Sequence, residues 1–421
     1  MRWDNLRLDD QPAVERDADG GETLFPAERR DVALPLIERG AVARTFDTPG
    51  FRGMTFYEVQ AKSVVNRVPE ASRMPFRWTI NPYRGCQHAC KYCFARQSHS
   101  YLELDSGADF DTKVVVKVNA PELVRKKMAS PGWSGEHIAM GTNVDCYQRA
   151  EGRYRLMPGI IGALKDAANP FSILTKGTLI LRDVDLLAEA AEITDVGLNV
   201  SVGFVDKELW RSVEPGTPAP ARRLEACAAL NERGLRCGVL MGPVVPFLSD
   251  SPAQLEETVR QAAAAGARHV SPIVLHLRPG TREWFFAWLR AQHPGLVDRY
   301  LDLYRGGAYA PKAYQNRIAG QVRELAEKHG VGRARPAATP RPAAGPRPAA
   351  APRPAAAPRR QVLSAPSPPE PRRPQWAAQP LTAPEKQGPR QPREPQEPRP
   401  APQLPAPRKH AAEPPEQLTL L

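Results

Sequence analysis

The stretch 83-YRGCQHACKYCF-94 sets Cys86, Cys90 and Cys93, half of the chain's six cysteines, on one short loop with His88 among them. The C-x3-C-x2-C spacing lets all three sulfurs approach one centre. So few cysteines in 421 residues, with half in one loop, do not make a secreted disulfide framework. The start, MRWDNLRLDDQ, has no apolar leader core, and no run of about 18 apolar residues predicts a membrane-spanning helix. The expectation is a cytoplasmic protein with reduced thiols, in which clustered cysteines bind metal. Three states are open to such a loop. A structural zinc ion takes four ligands, and His88 could complete Cys3His. A [4Fe–4S] cluster normally takes four cysteines, and with three it keeps one iron open to a further ligand. The thiols could also be inert.

Outward from this loop, the pattern between about 76 and 330 alternates apolar strands with amphipathic helices. The strands are FRWTINPY, HIAMGTN (137–143), FSILTK (171–176), VGLNVSVGF, RCGVLMGPVVP and HVSPIVL. Between and after them come GIIGALKDAA, LLAEAAEI, PARRLEACAALNERG, SPAQLEETVRQAAAAG and TREWFFAWLRAQH as helices. Ser251 is the expected N-cap, and Gly234 and Gly266 the expected helix ends. Repeated βα units predict a parallel sheet, here a full or partial (β/α) barrel with its chemistry at the carboxyl ends of the strands. Trp284, Phe285, Phe286 and Trp288 read as helix-packing aromatics.

The two ends differ. Residues 1–30 are polar and expected to be disordered, and 31–75 reads as a segment capping the main domain. After Gly332 the composition changes to RPAAGPRPAAAPRPAAAPRR, with Arg341, Arg347, Arg353 and Arg359 six residues apart. The unit offers nothing larger than Ala to bury, so 333–421 reads as a disordered, extended, Pro-rich tail. It holds fifteen Lys/Arg against six Asp/Glu, leaving only about three of the chain's net +12 charges to the rest. A basic tail favours polyanions non-specifically.

The cysteine spacing, with Tyr92 just before the last thiol, resembles the radical S-adenosylmethionine (SAM) superfamily. GTNVDCYQRAE (141–151), ILTKGTLILRDVDLL (173–187), NVSVGF (199–204), SVEPGTPAPARRLEA (212–226) and LRCGVLMGPVVP (235–246) are similar to successive strand ends of its spore photoproduct lyase-like branch. The resemblance implies an α/β fold, a partial (β/α)6 TIM-type barrel over 76–332. It implies that Cys86, Cys90 and Cys93 hold a [4Fe–4S] cluster whose open iron takes SAM. It further implies that an electron, from a reductant of the flavodoxin or ferredoxin type, cleaves SAM to a 5′-deoxyadenosyl radical. Such a species survives only in a closed, dry cavity.

By motif position the resemblance puts Asn143, Lys176, Ser201, Glu214 and Arg222 at SAM, with Thr142 and Asp145 as lesser candidates. Glu214 and Arg222 could equally pair with each other, and Gly141 would allow close backbone approach. Two departures stand out. True spore photoproduct lyases carry a tyrosine after the third cluster cysteine and a hydrogen-donating cysteine near the end of the second strand. Here those places hold Phe94 and Thr142. Cys146, four residues on, is the one substitute donor, and its plainer role is as a small buried residue. Cys227 and Cys237 read as core.

The chain ends in PEQLTLL. Gln417, Leu418, Leu420 and Leu421 resemble a bacterial sliding-clamp-binding peptide, with Leu in place of the usual aromatic. The favoured function is a radical SAM enzyme of lyase type acting on DNA lesions. The alternatives are radical modification of a protein or tRNA, and a non-catalytic metal-structured adaptor at the clamp.

Overall fold

The computed structural model describes Leu36, residues 40–70, Ser72 and residues 74–331. The expectations for 1–30, for 333–421 and for the terminal QLTLL lie outside these residues. In chain order the strands are β1 (Val42–Arg44), β2 (Thr55–Val59), β3 (Val65–Arg67), β4 (Trp78–Ile80), β5 (Tyr83–Arg84), β6 (Lys113–Lys117), β7 (Ile138–Met140), β8 (Phe171–Thr175), β9 (Val196–Ser201), β10 (Cys237–Val244) and β11 (Val270–Val274).

The main sheet has the order β11-β10-β9-β8-β7-β4-β3. Neighbours from β4 to β11 pair in parallel, with Ile80 beside Met140, Ile173 beside Leu198, and Ser201 beside Leu240. β3 joins β4 antiparallel and ends the sheet on that side. Six parallel strands in chain order, with open edges, are the expected partial (β/α)6 barrel.

The five expected helices form, and others, Lys312–Lys328 among them, were not expected. Leu156–Asp166, Val184–Ile193, Pro220–Glu232 and Pro252–Ala264 alternate with β7 to β11, and Lys312–Lys328 packs on β11. Their apolar stripes bury Leu164, Leu187, Leu230 and Val259 against the sheet. Ser251 Oγ accepts the Gln254 amide at 3.3 Å, capping Pro252–Ala264 as expected. Gly234 and Gly266 follow their helices at positive φ. No described helix is long and apolar enough to cross a membrane.

The segment read as a cap does more than cover the barrel. β1 and β2 build a second sheet of order β1-β2-β6-β5, in which β2 pairs in parallel with β6. β6, from the run KVVVK, had no counterpart in the sequence reading. This sheet holds the start of the cysteine loop, because β5 leads directly into Cys86. A second apolar cluster packs Phe285, Phe286 and Trp288 with Tyr300 and Tyr304, so these aromatics are core residues.

Candidate active site

The cysteine loop follows β5 and is tied down on several sides. Gln148 Nε2 donates to Gly85 O at 3.0 Å, and Gln148 Oε1 accepts the Gln87 amide at 3.1 Å. Arg96, fully buried, donates through Nε and Nη2 to Cys90 O at 3.2 and 3.0 Å, and pairs with Asp111 at 2.7 Å. Lys91 N donates to Val213 O at 2.9 Å, and Gly216 N to His88 O at 3.1 Å. A Cβ on Gly216 would stand 2.0 Å from Gln87 O, so only glycine lets that segment close on the loop.

Cys86 and Cys90 are buried and Cys93 is half-buried. Burial pushes the Cys86 thiol well up, reinforced by Asp145, Cys93 and Cys90. Cys90 is pushed up to about 12, by burial first and then by Glu214, against the pull of Lys176. Each therefore needs a positive centre to ionise it, as thiolate ligation to iron supplies. Among the described residues, no three His, Cys, Asp or Glu side chains gather closely enough for a single ion. Burial lowers the His88 ring to about 4, and its Nδ1 lies 3.4 Å from Asp145 Oδ2. It is thus a neutral imidazole facing a carboxylate.

Three of the five expected contact residues, Lys176, Ser201 and Glu214, come together at the strand ends around this loop. Lys176, just past β8, donates from Nζ to Ser201 Oγ at 2.7 Å, and Ser201 Oγ donates to Gly242 O at 2.9 Å. The same Nζ is 5.8 Å from the centre of the Tyr92 ring, a cation–π contact. The Tyr92 hydroxyl donates to Glu214. Asn143 is half-buried after β7, and no side-chain hydrogen bond fixes it among the described residues. Burial works against a charged Glu214, but Arg223 and Lys176 hold its carboxyl below the usual range.

Arg222 is corrected by its neighbour. Arg222 is exposed and pairs with Glu225 at 2.7 Å on its own helix. Arg223 is the buried partner of Glu214, and it also donates to Thr217 Oγ1 at 2.6 Å and Ser201 O at 3.0 Å. The periodicity held the signal, since Arg223 lies four and seven residues before the buried Cys227 and Leu230, whereas Arg222 falls off that stripe.

Other expected residues serve the frame. Asp145 accepts from Thr175 Oγ1 and Lys176 N, both at 2.6 Å, and from Tyr147 N at 2.8 Å, so it locks the end of β7 to the end of β8. Gly141 does allow a close approach, by the carbonyl of Leu174 on the neighbouring strand. Cys146 is fully buried in the main core, and burial pushes its thiol well up. Phe94 is 41% exposed.

The residues present fit a polar cofactor held against the thiols. Both amide atoms of Gln87, beside Cys86, are buried without a partner, as is Asn81 Oδ1 just past β4. Buried polar groups rarely stay unpaired, so these are groups for a polar ligand to satisfy. With the Lys176 amine and the three thiols, they suit an iron–sulfur centre carrying a ligand with carboxylate and amino groups.

Comparison with known proteins bears on the family. The model of the Radical SAM superfamily matches residues 80–270. An uncharacterized protein of Mycobacterium tuberculosis is 50% identical over 308 residues, covering 73% of this chain and 91% of the relative. An uncharacterized protein of Methanocaldococcus jannaschii is 32% identical over 203 residues, 48% of this chain and 72% of its own. Among solved structures, spore photoproduct lyase complexed with dinucleoside spore photoproduct aligns with TM-score 0.49 and 14% identity, over 66% of this chain and 80% of that one.

Proposed function

The chain belongs to the radical SAM superfamily, and on that premise we propose that it is an enzyme that cleaves SAM reductively at a [4Fe–4S] cluster, acting on nucleic acid. Cys86, Cys90 and Cys93 hold the cluster. Lys176 and Ser201 receive the SAM carboxylate, Asn143 its amino group, and the Glu214–Arg223 pair fixes the strand ends around it. When bound, the two groups together supply a carbon-centred radical able to take hydrogen from an unactivated C–H bond. The observation that carries this is the meeting of Lys176 and Glu214 on Tyr92 of the cysteine loop, with Ser201 bonded to the Lys176 amine.

The chain's own residues prepare the site. Lys176 brings a cation that already spans two strand ends. Gln87 and Asn81 offer unpaired polar atoms. The walls exclude water, since Tyr92, Glu214 and Arg223 are all nine-tenths or more buried.

The nucleic-acid substrate rests on the basic tail and the QLTLL terminus, which together would tether the barrel at DNA through the polymerase sliding clamp. Lesion repair is the reaction class proposed. The relay of the spore lyases is not part of it, because Phe94 has no hydroxyl and Cys146 is sealed in the core.

The test is anaerobic reconstitution. The protein should show iron–sulfur absorbance and form 5′-deoxyadenosine from SAM with dithionite, faster with the right lesion-bearing oligonucleotide than without. Failure to form any 5′-deoxyadenosine would sink the enzyme. Stimulation by a peptide or tRNA and by no DNA would move the substrate class. Equal clamp recovery by wild type and a chain lacking residues 417–421 would remove the tether.

A further inference from the structure

The chemistry proposed above requires one electron from outside, and the outer side of the cysteine loop is built to receive its carrier. Lys91 lies between Cys90 and Cys93, and its backbone amide bonds to Val213 O, so loop and helix end are joined there. Beside this junction is a shallow concavity of about 520 Å³, lined by Lys91, Glu208, Arg211, Ser212, Trp288 and Gln292. One of its lining residues thus stands on the loop that carries two of the thiols. Electron transfer slows steeply with distance, and Lys91 sets this concavity one and two residues along the chain from Cys90 and Cys93.

Two of the six lining residues, Lys91 and Arg211, are basic. The Lys91 amine stands 5.4 Å over the Trp284 ring, and the Arg211 guanidinium 6.0 Å from the Trp210 ring. Neither makes an ion pair among the described residues. Lys207, also exposed, sits one turn before Arg211 on the helix Lys207–Val213, so the two share a face. Glu208 is the one acidic lining residue. Trp288, held by its Nε1–H to Ser212 Oγ at 2.9 Å, gives the concavity an apolar centre within a basic rim.

We infer that the concavity formed by Lys91, Arg211 and Trp288, with Lys207 at its rim, is the docking surface for an acidic one-electron carrier protein of the flavodoxin or ferredoxin type. The reduced carrier gives up one electron to the centre held by the three thiols and leaves oxidised. Opposite charges steer the encounter and set its orientation, while the apolar centre lets the carrier's redox group approach closely. The arrangement separates two traffics, with electrons entering through the loop's outer side and SAM at the strand ends.

The test uses the reconstituted full chain and an acidic flavodoxin. Arg211→Glu combined with Lys207→Glu should weaken flavodoxin binding, read by fluorescence anisotropy, about tenfold at low salt and flatten its salt dependence. Bleaching of the iron–sulfur absorbance by reduced flavodoxin should slow to match, while bleaching by dithionite stays at the wild-type rate. Arg236→Glu, an exposed change of the same sign just before β10, should leave binding unchanged. Unchanged flavodoxin affinity in the double variant would overturn the surface, as would equal weakening by Arg236→Glu. A wild-type protein without any dithionite-bleachable absorbance would instead overturn the radical SAM chemistry beneath the inference.

Discussion

Two buried carboxylates, Glu214 and Glu151, are built from the same parts and do opposite things. Each pairs with an arginine and accepts a tyrosine hydroxyl: Arg223 and Tyr92 for Glu214, Arg182 and Tyr83 for Glu151. Glu151 also accepts the amides of Leu156 and Met157 at 3.0 and 3.1 Å, so it caps the start of the helix Leu156–Asp166. Burial nevertheless raises its carboxyl above the usual range. The Glu214 carboxylate accepts no helix amide, and Arg223 and Lys176 hold its charge although it is as buried as Glu151. One carboxylate anchors the frame. The other keeps cations gathered around the cysteine loop, where an anionic ligand can use them.

The sharpest way to break this contrast is to remove the arginines. Arg223→Leu takes from the buried Glu214 its paired cation and leaves it only Lys176 and the Tyr92 hydroxyl, and should cost about 3–5 kcal/mol. Urea denaturation would measure it, and the variant should also fail to hold a reconstituted cluster, because Ser201 O and Thr217 lose their common partner. Arg182→Leu should cost less, about 2 kcal/mol. Its guanidinium is 22% exposed, Glu151 keeps two amide donors and a hydroxyl, and Asp183, which loses two bonds from Arg182, keeps the Tyr147 hydroxyl. Cluster loading should survive in that variant. Equal loss of the cluster in both would show that the two networks share one task.

How much of this was legible beforehand follows the range of the interactions. The alternation of HIAMG, FSILT and VGLNVS with amphipathic helices is local, and it predicted the parallel sheet. Lys176 and Ser201, put at SAM by motif position in the resemblance, stand 2.7 Å apart. β6 was missed because its partner β2 lies more than fifty residues earlier, and a short KVVVK run inside a long connection has no local periodicity to mark it. Arg223 was missed for another reason. Two adjacent arginines differ only in helix phase, and the motif resemblance was followed where the apolar stripe of the same helix pointed one residue on. Asp145 was read as a ligand residue because its role as a clamp depends on Thr175 and His88, from two other parts of the chain.

Glu151→Gln gives a smaller effect with a distinctive sign. The native carboxyl titrates above its unfolded value, so the native state binds more protons between those two values. Its contribution is fully present below the unfolded value, near pH 4, and fades as pH rises through the native one. Gln keeps one acceptor oxygen and cannot titrate. The stability gap between wild type and variant should therefore be about 1–2 kcal/mol in mild acid and narrow towards pH 8, measured by paired urea titrations. A gap that widens with pH would mean that the native Glu151 is held charged, as Glu214 is, and the contrast between them would vanish.

Lys176→Met should be the smallest change in stability and the most informative about the site. The amine is half-buried, its two oxygen partners Ser201 Oγ and Gly242 O can bond each other at 2.9 Å without it, and Met keeps most of the stem. Removing it therefore leaves no orphaned charge of its own, and the loss should stay below about 1 kcal/mol. What goes is a cation facing Glu214 and the ring of Tyr92. If that cation serves to receive a carboxylate, SAM affinity measured by calorimetry on the reconstituted protein should fall about tenfold, since a charge-assisted hydrogen bond contributes about 1.5–3 kcal/mol. Unaltered SAM affinity with a large stability loss would make Lys176 a counter-ion to Glu214, and the second carboxylate would then be a frame residue like the first.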